Sequence, residues 1–233
     1  MTEREKILAR VREALTLAAP IPGHGHSASG RPATSVTQAY SPAQSPRQWL
    51  PLVGEGFANR LSLFQKNVAD LKAEFHLLND REDLAKLLLE LRETGAWKKV
   101  GAHSGELTDT ACRTLGLPVC WTDQRYDVND LESCDTGITE CDALIAQTGS
   151  VLVTSRSAGG RALSVLPPHH VVLARREQLL SDLPDAFALL KKKYAANYPS
   201  FISFITGPSR TGDIERILVL GAHGPRKLTI LCV

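Results

Sequence analysis

From about residue 55 onwards, apolar positions switch between helical and strand-like spacing. The first run has apolar residues three or four positions apart, which is the spacing of one helix face. Short continuous apolar runs follow, separated by segments with helical spacing. The pattern predicts helices at 55–71, 80–94, 107–115 and 179–194, strands at 73–78, 99–102, 119–122, 150–154, 170–175, 201–206, 217–221 and 228–232, and a short strand or helix end at 143–146.

This alternation predicts an α/β fold with a mainly parallel sheet flanked by helices. One helix has clear end signals, since Asn79 or Asp80 can cap residues 80–94 and Gly95 can end them. The last two predicted strands are close in sequence, and we expect them to pair as an antiparallel hairpin.

The chain before this domain divides into two segments. Residues 1–17 carry an amphipathic helical stripe, with Thr2 and Glu5 placed as a capping box. So short a helix is marginal alone, and it docks on the main domain, on a second copy or on another protein. Residues 18–54 are rich in Pro, Ser and Gly and predict a linker, which leaves residues 55–233 as the α/β domain.

Composition and charge exclude several classes of protein. The 233 residues are 43% hydrophobic and 22% charged with a net charge of +2, as in an ordinary soluble globular protein. The basic residues are scattered, so nucleic-acid binding gains no support. The first residues are charged and no run approaches the roughly 20 apolar residues of a membrane span. We therefore expect a cytoplasmic protein without a membrane span.

The cysteines and glycines carry no recognised cofactor motif. The five cysteines include no C-x-x-C pair of the kind that zinc and iron–sulfur sites often use, so we expect no metal site and no cofactor in this chain. A G-x-G-x-x-G dinucleotide fingerprint and a nucleophile elbow are also absent from the sequence.

The loop 207–215, with the sequence GPSRTGDIE, follows an apolar run and is the first candidate site. Ligands in open α/β sheets sit beyond the carboxyl ends of strands, and a helix N-terminus there exposes unpaired N–H groups to anions. Arg210 adds a positive charge, and Ser209 or Thr211 can cap a following short helix. The alternative is a purely structural cap, in which Arg210 pairs with Asp213 or Glu215.

The loop 221–225, with the sequence GAHGP, closes the next predicted strand. His223 lies there among small residues, where an imidazole can transfer a proton near neutral pH. A structural hydrogen bond from His223 to a turn carbonyl explains it equally well.

Two further segments can be interpreted either as part of a ligand site or as purely structural. Thr139 in the segment 136–142 can cap a short helix, with Asp142 completing a capping box. Thr148 and Gly149 lie in a turn before the strand at 150–154. These residues either line a pocket or serve as caps and turns. The segment 166–170, LPPHH, holds His169 or His170 at a pocket rim or simply leads into a strand.

Taken together, these motifs resemble the LutC/YkgG lactate-utilisation proteins, the LUD domain, over about residues 55–233. The G-P-S-[RK]-T-x-D-I-E and G-x-H-G-P pair carries most of the resemblance. The chain differs from the usual pattern at Gln147, where the family has Glu, and at Gly212, where it has Ala.

The resemblance implies a NagB/RpiA/CoA-transferase-like fold and a role in oxidising L-lactate to pyruvate beside iron–sulfur partner proteins. The chain would be a non-redox subunit of an L-lactate dehydrogenase complex, with the clusters on its partners, and whether it is itself catalytic stays open. The implied pocket binds a small carboxylate or another anionic metabolite. The alternative is a free-standing enzyme or binding protein for a phosphorylated or CoA-linked metabolite. Our candidate residues are His223 as the proton acceptor, and Ser209, Arg210, Thr211, Asp213, Thr139, Thr148 and Gly149 as anion-binding residues.

Overall fold

The computed structural model describes Glu5 and residues 51–212, 218–220 and 224–233, with backbone only for residues 211–212 and 218–220. Contacts between Cα atoms divide the chain after Pro46, and all but one of the described residues lie in the second unit, Arg47–Val233. The predicted N-terminal helix apart from Glu5, most of the predicted linker, Asp213 and His223 therefore lie outside the described residues.

Five α-helices lie within the described part of the chain. The helix predicted at 80–94 is confirmed, because the Asp80 side chain accepts hydrogen bonds from Glu82 N and Asp83 N and Gly95 follows the last turn. A short helix, α4, was not predicted. The helices are α1 (Phe57–Asp70), α2 (Arg81–Thr94), α3 (Glu106–Leu115), α4 (Val128–Glu132) and α5 (Leu183–Tyr194).

Six parallel strands form the central sheet, in the order β1-β12-β7-β4-β2-β3. The strand β7 is buried along its whole length, which explains the apolar run at 171–174. The strands of this sheet are β1 (Glu74–Leu77), β2 (Val100–Ala102), β3 (Val119–Trp121), β4 (Thr136–Glu140), β7 (His169–Ala174) and β12 (Lys227–Cys232).

A second sheet has four strands in the order β8-β5-β6-β9, and its β5-β6 and β6-β9 pairs are antiparallel. Two further short strands, β10 and β11, pair antiparallel with each other. These strands are β5 (Ala143–Ile145), β6 (Ser150–Thr154), β8 (Leu179–Leu180), β9 (Ile202–Ile205), β10 (Arg210–Gly212) and β11 (Leu218–Leu220).

The two sheets and the helices stack in layers. One face of the six-stranded sheet, with Val171 and Leu173, packs on α2 and α3. Its other face, with Val172 and Ile230, packs on α1 and on one face of the four-stranded sheet. The far face of the four-stranded sheet is covered by α5. The predicted α/β class with a mainly parallel sheet flanked by helices is confirmed.

The predicted capping role of Thr139 and Asp142 is wrong. Thr139 lies inside β4, a buried central strand, and the Asp142 carboxylate accepts hydrogen bonds from Lys193 and Tyr194. Polar residues in the sequence TGITE concealed this strand from the hydrophobic pattern. Their hydroxyl groups are satisfied inside the sheet, as Thr136 donates to the His169 carbonyl.

Three other predictions at the carboxyl-terminal end of the chain are corrected. Residues 210–212 form strand β10, so Ser209 and Thr211 do not cap a helix beginning there. The last two strands are not a hairpin, because β12 lies between β1 and β7 while β11 pairs with β10. The helix predicted at 179–194 begins only at Leu183, after the Asp182 cap and with Pro184 in its first turn.

Candidate functional site

A cavity of about 150 Å³ lies between the two sheets. Strands β7 and β12 contribute His170 and Leu228, the second residue of each strand, and β9 contributes one of its faces. The turn before β7 and the loops after β9 and before β12 complete its wall. Its lining residues are Ser164, Val165, His170, Phe201, Ser203, Ile205, Gly207, Pro208, Ser209, Gly224, Pro225 and Leu228.

Backbone hydrogen bonds tie the three wall segments to one another. Ser209 N donates to the Pro225 carbonyl at 2.8 Å, which joins the loop after β9 to the loop before β12. Arg226 N donates to the Pro168 carbonyl at 2.8 Å, which joins that loop to the turn before β7. Three segments that are far apart in sequence, each singled out by its motif, therefore meet at one cavity.

His170 is the most deeply buried polar residue of the cavity wall, with 1% of its surface exposed. Its Nε2 shares a hydrogen bond of 2.9 Å with Thr139 Oγ1 on the neighbouring strand. Its buried Nδ1 has no hydrogen-bond partner within the described residues. Burial, helped by the neighbouring His169, lowers the pKa of His170 to about 3, so the imidazole is neutral near pH 7.

The adjacent His169 lies on the opposite face of the sheet. Its Nε2 shares a hydrogen bond of 2.8 Å with Thr229 Oγ1, and its ring packs edge-on against Trp97. Burial, with a further contribution from Lys227, lowers the pKa of His169 to about 4. Of the two histidines that the sequence proposed for a pocket rim, His170 lines the cavity and His169 is part of the structural packing.

No charged side chain is among the described residues that line the cavity. Its polar side chains are neutral His170 and three serines, and the remainder are apolar or glycine. Arg210, which is exposed, follows the lining residue Ser209 directly and offers a cation near the cavity. A Cβ built on Gly207 would lie 3.8 Å from Arg210 Nη2, so the guanidinium lies beside the rim.

Gly207 holds the rim loop in a conformation that glycine favours. Its φ angle is +86°, and a Cβ at this position would come within 3.0 Å of the Leu71 carbonyl oxygen at the end of α1. The loop after β9 is therefore pressed closely against α1.

The turn 147–149 packs beside the cavity against the same end of α1. Asn67 Nδ2 donates to the carbonyls of Ala146 and Gln147, and Gln147 Nε2 donates to the Pro51 carbonyl at 3.0 Å. The turn is linked to the rim, because Ser150 Oγ and Thr206 Oγ1 share a hydrogen bond of 2.8 Å. Thr148 Oγ1 is buried and has no hydrogen-bond partner in the described part of the chain.

The residues proposed from the sequence fall into four groups. Ser209 lines the cavity and Arg210 lies at its rim. Thr139 reaches the cavity through its hydrogen bond to His170. Thr148 and Gly149 lie in the adjacent turn. Only the backbone of Thr211 is described, and Asp213 and His223 lie outside the described residues, so their roles stay predictions.

Three residues that give the cavity its shape were not predicted from the sequence, namely Ser164, Phe201 and Ser203. Ligands were expected at the carboxyl ends of the parallel strands, whereas β7 and β12 begin at this cavity. The cavity becomes evident only when the strand order is known, because β9 belongs to the other sheet.

The carboxyl edge of the parallel sheet is occupied by the protein's own side chains. Glu140 Oε1 accepts a hydrogen bond of 2.9 Å from Leu107 N at the start of α3, and Arg175 pairs with its Oε2. Glu140 N donates to His103 Nε2 at 3.1 Å. The Glu140 carboxylate thus occupies the N-terminus of α3, a position that favours anions.

All five cysteines are free and buried. Among the residues that the structure describes, no group of three or more His, Cys, Asp and Glu side chains is arranged to hold a metal ion. The described helices likewise include none that is long and apolar enough to cross a membrane.

The chain is similar to proteins of one family. The LUD domain matches residues 61–233. "Lactate utilization protein C" of Geobacillus sp. (strain WCH70) is 34% identical over 111 residues, which cover 47% of this chain and 46% of that protein. "Lactate utilization protein C" of Halalkalibacterium halodurans is 27% identical over 178 residues, which cover 65% of this chain and 76% of that protein. The match thus spans about half the length of the first of these relatives and about three quarters of the second.

A solved structure has a similar fold. It is the crystal structure of a DUF162 family protein from Deinococcus radiodurans, with a TM-score of 0.60 and 19% sequence identity. The similarity covers 77% of this chain and 99% of that one. At this level of identity the likeness concerns the fold alone.

Proposed function

Since this chain belongs to the LUD domain family, we propose that it serves in lactate utilisation, as a subunit that supports the oxidation of L-lactate to pyruvate together with iron–sulfur proteins. The names of its relatives support the lactate-utilisation role. The convergence of the motif segments on one cavity supports the presence of a ligand site in this chain.

The size of the cavity is the observation that carries the proposal. The described residues enclose about 150 Å³. An engineered cavity of about that volume binds benzene, a ligand of six non-hydrogen atoms, and L-lactate has the same number. Pockets for drug-sized ligands measure roughly 300–1,000 Å³. The nucleotide part of a CoA ester would have to lie outside this cavity, so its size favours a small acid over a CoA-linked ligand.

The oxidation itself requires an electron acceptor. Conversion of lactate to pyruvate releases two electrons and two protons, and the sequence of this chain has no motif for a flavin or a nicotinamide. We assign the electrons to iron–sulfur clusters on the partner proteins. This chain would bind the acid, with Arg210 beside the carboxylate and His223 as the acceptor of the hydroxyl proton.

Purification from native cells tests this proposal. The tagged chain is isolated with its companions, the companions are identified, and L-lactate-dependent dye reduction is measured with and without them. Iron–sulfur companions and activity only in the mixture are the expected result. A solitary chain that has no effect on lactate oxidation would contradict the proposal.

A further inference from the structure

His170 lines the cavity and carries a ring nitrogen that the described protein leaves without a hydrogen-bond partner. The residue lines the cavity and is 1% exposed, and its Nδ1 is buried without a partner in the described chain. Buried polar atoms in native proteins are nearly always paired with protein, water or ligand. An occupant of the cavity can provide this missing partner.

Thr139 fixes the other side of the same ring. Its Oγ1 lies 2.9 Å from His170 Nε2, and Thr139 is itself fully buried in β4. The ring is therefore held in one orientation within the sheet. A ring whose orientation is fixed in advance loses little freedom when its second nitrogen binds a ligand.

The charge of the wall determines which part of a ligand can enter. No charged side chain is among the described lining residues, and His170 is neutral near pH 7. Burying a carboxylate there without a paired charge is strongly unfavourable, because the ion loses its hydration. A hydroxyl or carbonyl oxygen with a short apolar group suits the interior, and Arg210 beside Gly207 offers a cation for a carboxylate at the rim.

We infer that the cavity recognises the C2 oxygen and the short apolar end of a 2-hydroxy or 2-oxo acid, with His170 Nδ1 as the hydrogen-bond partner of that oxygen and the carboxylate facing outwards beside Arg210. The inference rests on the proposed function and deepens it, because it makes His170 a specificity-determining residue. Thr139 is a positioning residue that acts through the ring.

Pairs of ligands that differ in one oxygen test this binding mode. Binding of L-lactate and of propionate to the full chain is measured by titration calorimetry, since propionate lacks only the C2 hydroxyl. We expect propionate to bind about fivefold more weakly, which corresponds to the loss of one ordinary hydrogen bond. This comparison needs no variant, so it holds even where a substitution prevents folding.

Variants then assign the preference to His170. In His170→Gln the amide lies near the former Nε2, so the contact with Thr139 is kept and the group at the Nδ1 position is lost. We expect this variant to bind lactate and propionate equally well. In His170→Asn the amide lies near the former Nδ1 instead. We expect this variant to keep part of the preference for lactate over propionate. His169→Gln is the matched control, because its ring lies on the opposite face of the sheet, and it retains the whole preference.

Equal binding of lactate and propionate by the wild-type chain would overturn the inference, and so would binding of neither acid. Persistence of the preference in His170→Gln would overturn it as well. Failure of the proposed function has a different signature: the acids bind with the expected His170 dependence, but the chain and its companions do not oxidise lactate. Lactate oxidation by the mixture without a His170-dependent preference would leave the proposed function standing and remove this inference.

Discussion

Thr139 and His170 lie on neighbouring parallel strands and join their side chains through a hydrogen bond of 2.9 Å in the buried interior of the sheet. Gly137, directly opposite His170 in the register, has no side chain, and a Cβ there would come within 2.5 Å of the Leu163 carbonyl oxygen. The loop between β6 and β7, which carries Leu163, can therefore pass close to β4. This arrangement places a neutral imidazole at the wall of the cavity.

Replacing Thr139 with Val tests how strongly this pair stabilises the protein. The two side chains have nearly the same shape, but Val leaves the buried His170 Nε2 without its partner. We expect a loss of about 1–3 kcal/mol in the free energy of unfolding, measured by urea denaturation. Thr139→Ser keeps the hydroxyl and should recover most of this loss. A Val variant as stable as the wild type would show that the hydrogen bond contributes nothing.

Asp142 should make the stability of the protein depend on pH in the acid range. Burial raises the pKa of this carboxyl, but the polar groups around it, with Lys193 and Tyr194 as hydrogen-bond donors, outweigh burial and hold the pKa below its ordinary value of 3.8. A group whose pKa is lowered on folding stabilises the protein above its unfolded pKa, and this stabilisation is lost as the pH falls through the folded pKa.

The experiment compares denaturation of the wild type and of Asp142→Asn between about pH 7 and about pH 3. We expect Asp142→Asn to cost about 2 kcal/mol at neutral pH, because it removes charge-assisted hydrogen bonds. The difference between the two proteins should shrink as the pH falls. Asp185→Asn is the control at an exposed site. A difference that stays constant over this range would contradict the assignment.

Gly207→Ala should disturb the rim of the cavity. The φ angle of +86° disfavours an alanine, and its Cβ would approach the Leu71 carbonyl oxygen to 3.0 Å. We expect a loss of about 1–3 kcal/mol in stability, together with weaker binding of L-lactate. Gly116→Ala, also at positive φ but with no atom within 4 Å of the new Cβ, measures the backbone cost alone. Equal losses in the two variants would show that the contact with α1 is unimportant.

Gln147→Glu should loosen the chain that enters the domain. The Gln147 amide donates to the Pro51 carbonyl at 3.0 Å, and an ionised carboxylate cannot donate and would repel that oxygen. We expect faster hydrogen exchange around residues 52–54 and a loss of about 1 kcal/mol in stability. The exposed Gln124→Glu is the charge-matched control. Unchanged exchange around these residues would refute the role of the amide.

The hydrophobic pattern was sufficient for much of the fold. It located α2, whose ends carry strong signals in Asp80 and Gly95, and β7, whose apolar run at 171–174 is typical of a buried parallel strand. It missed β4 because Thr136 and Thr139 resemble loop residues until their buried hydrogen-bond partners are known. These partners lie more than 30 positions away in the sequence, so a local pattern cannot predict the hydrogen bonds.

The site was predictable only in part, for the same reason. The motifs around Ser209 and Pro225 could be recognised in the sequence, and the structure brings both to the cavity. The sequence could not separate His170 from His169, because which side chain faces the cavity depends on the register of β7 between β4 and β12. Nor could it show that β12 lies between β1 and β7, and this strand order places the loop before β12 at the cavity.

The most direct test of the account fills the cavity and measures lactate oxidation. Ser203→Leu adds apolar volume to the wall, whereas Ile202→Ser changes the neighbouring residue, which does not line the cavity. Each variant is purified with its companions, and L-lactate-dependent dye reduction is measured. We predict that Ser203→Leu keeps its companions but loses at least about tenfold in activity, while Ile202→Ser is unaffected. Full activity of a folded Ser203→Leu complex would contradict the claim that lactate binds in this cavity.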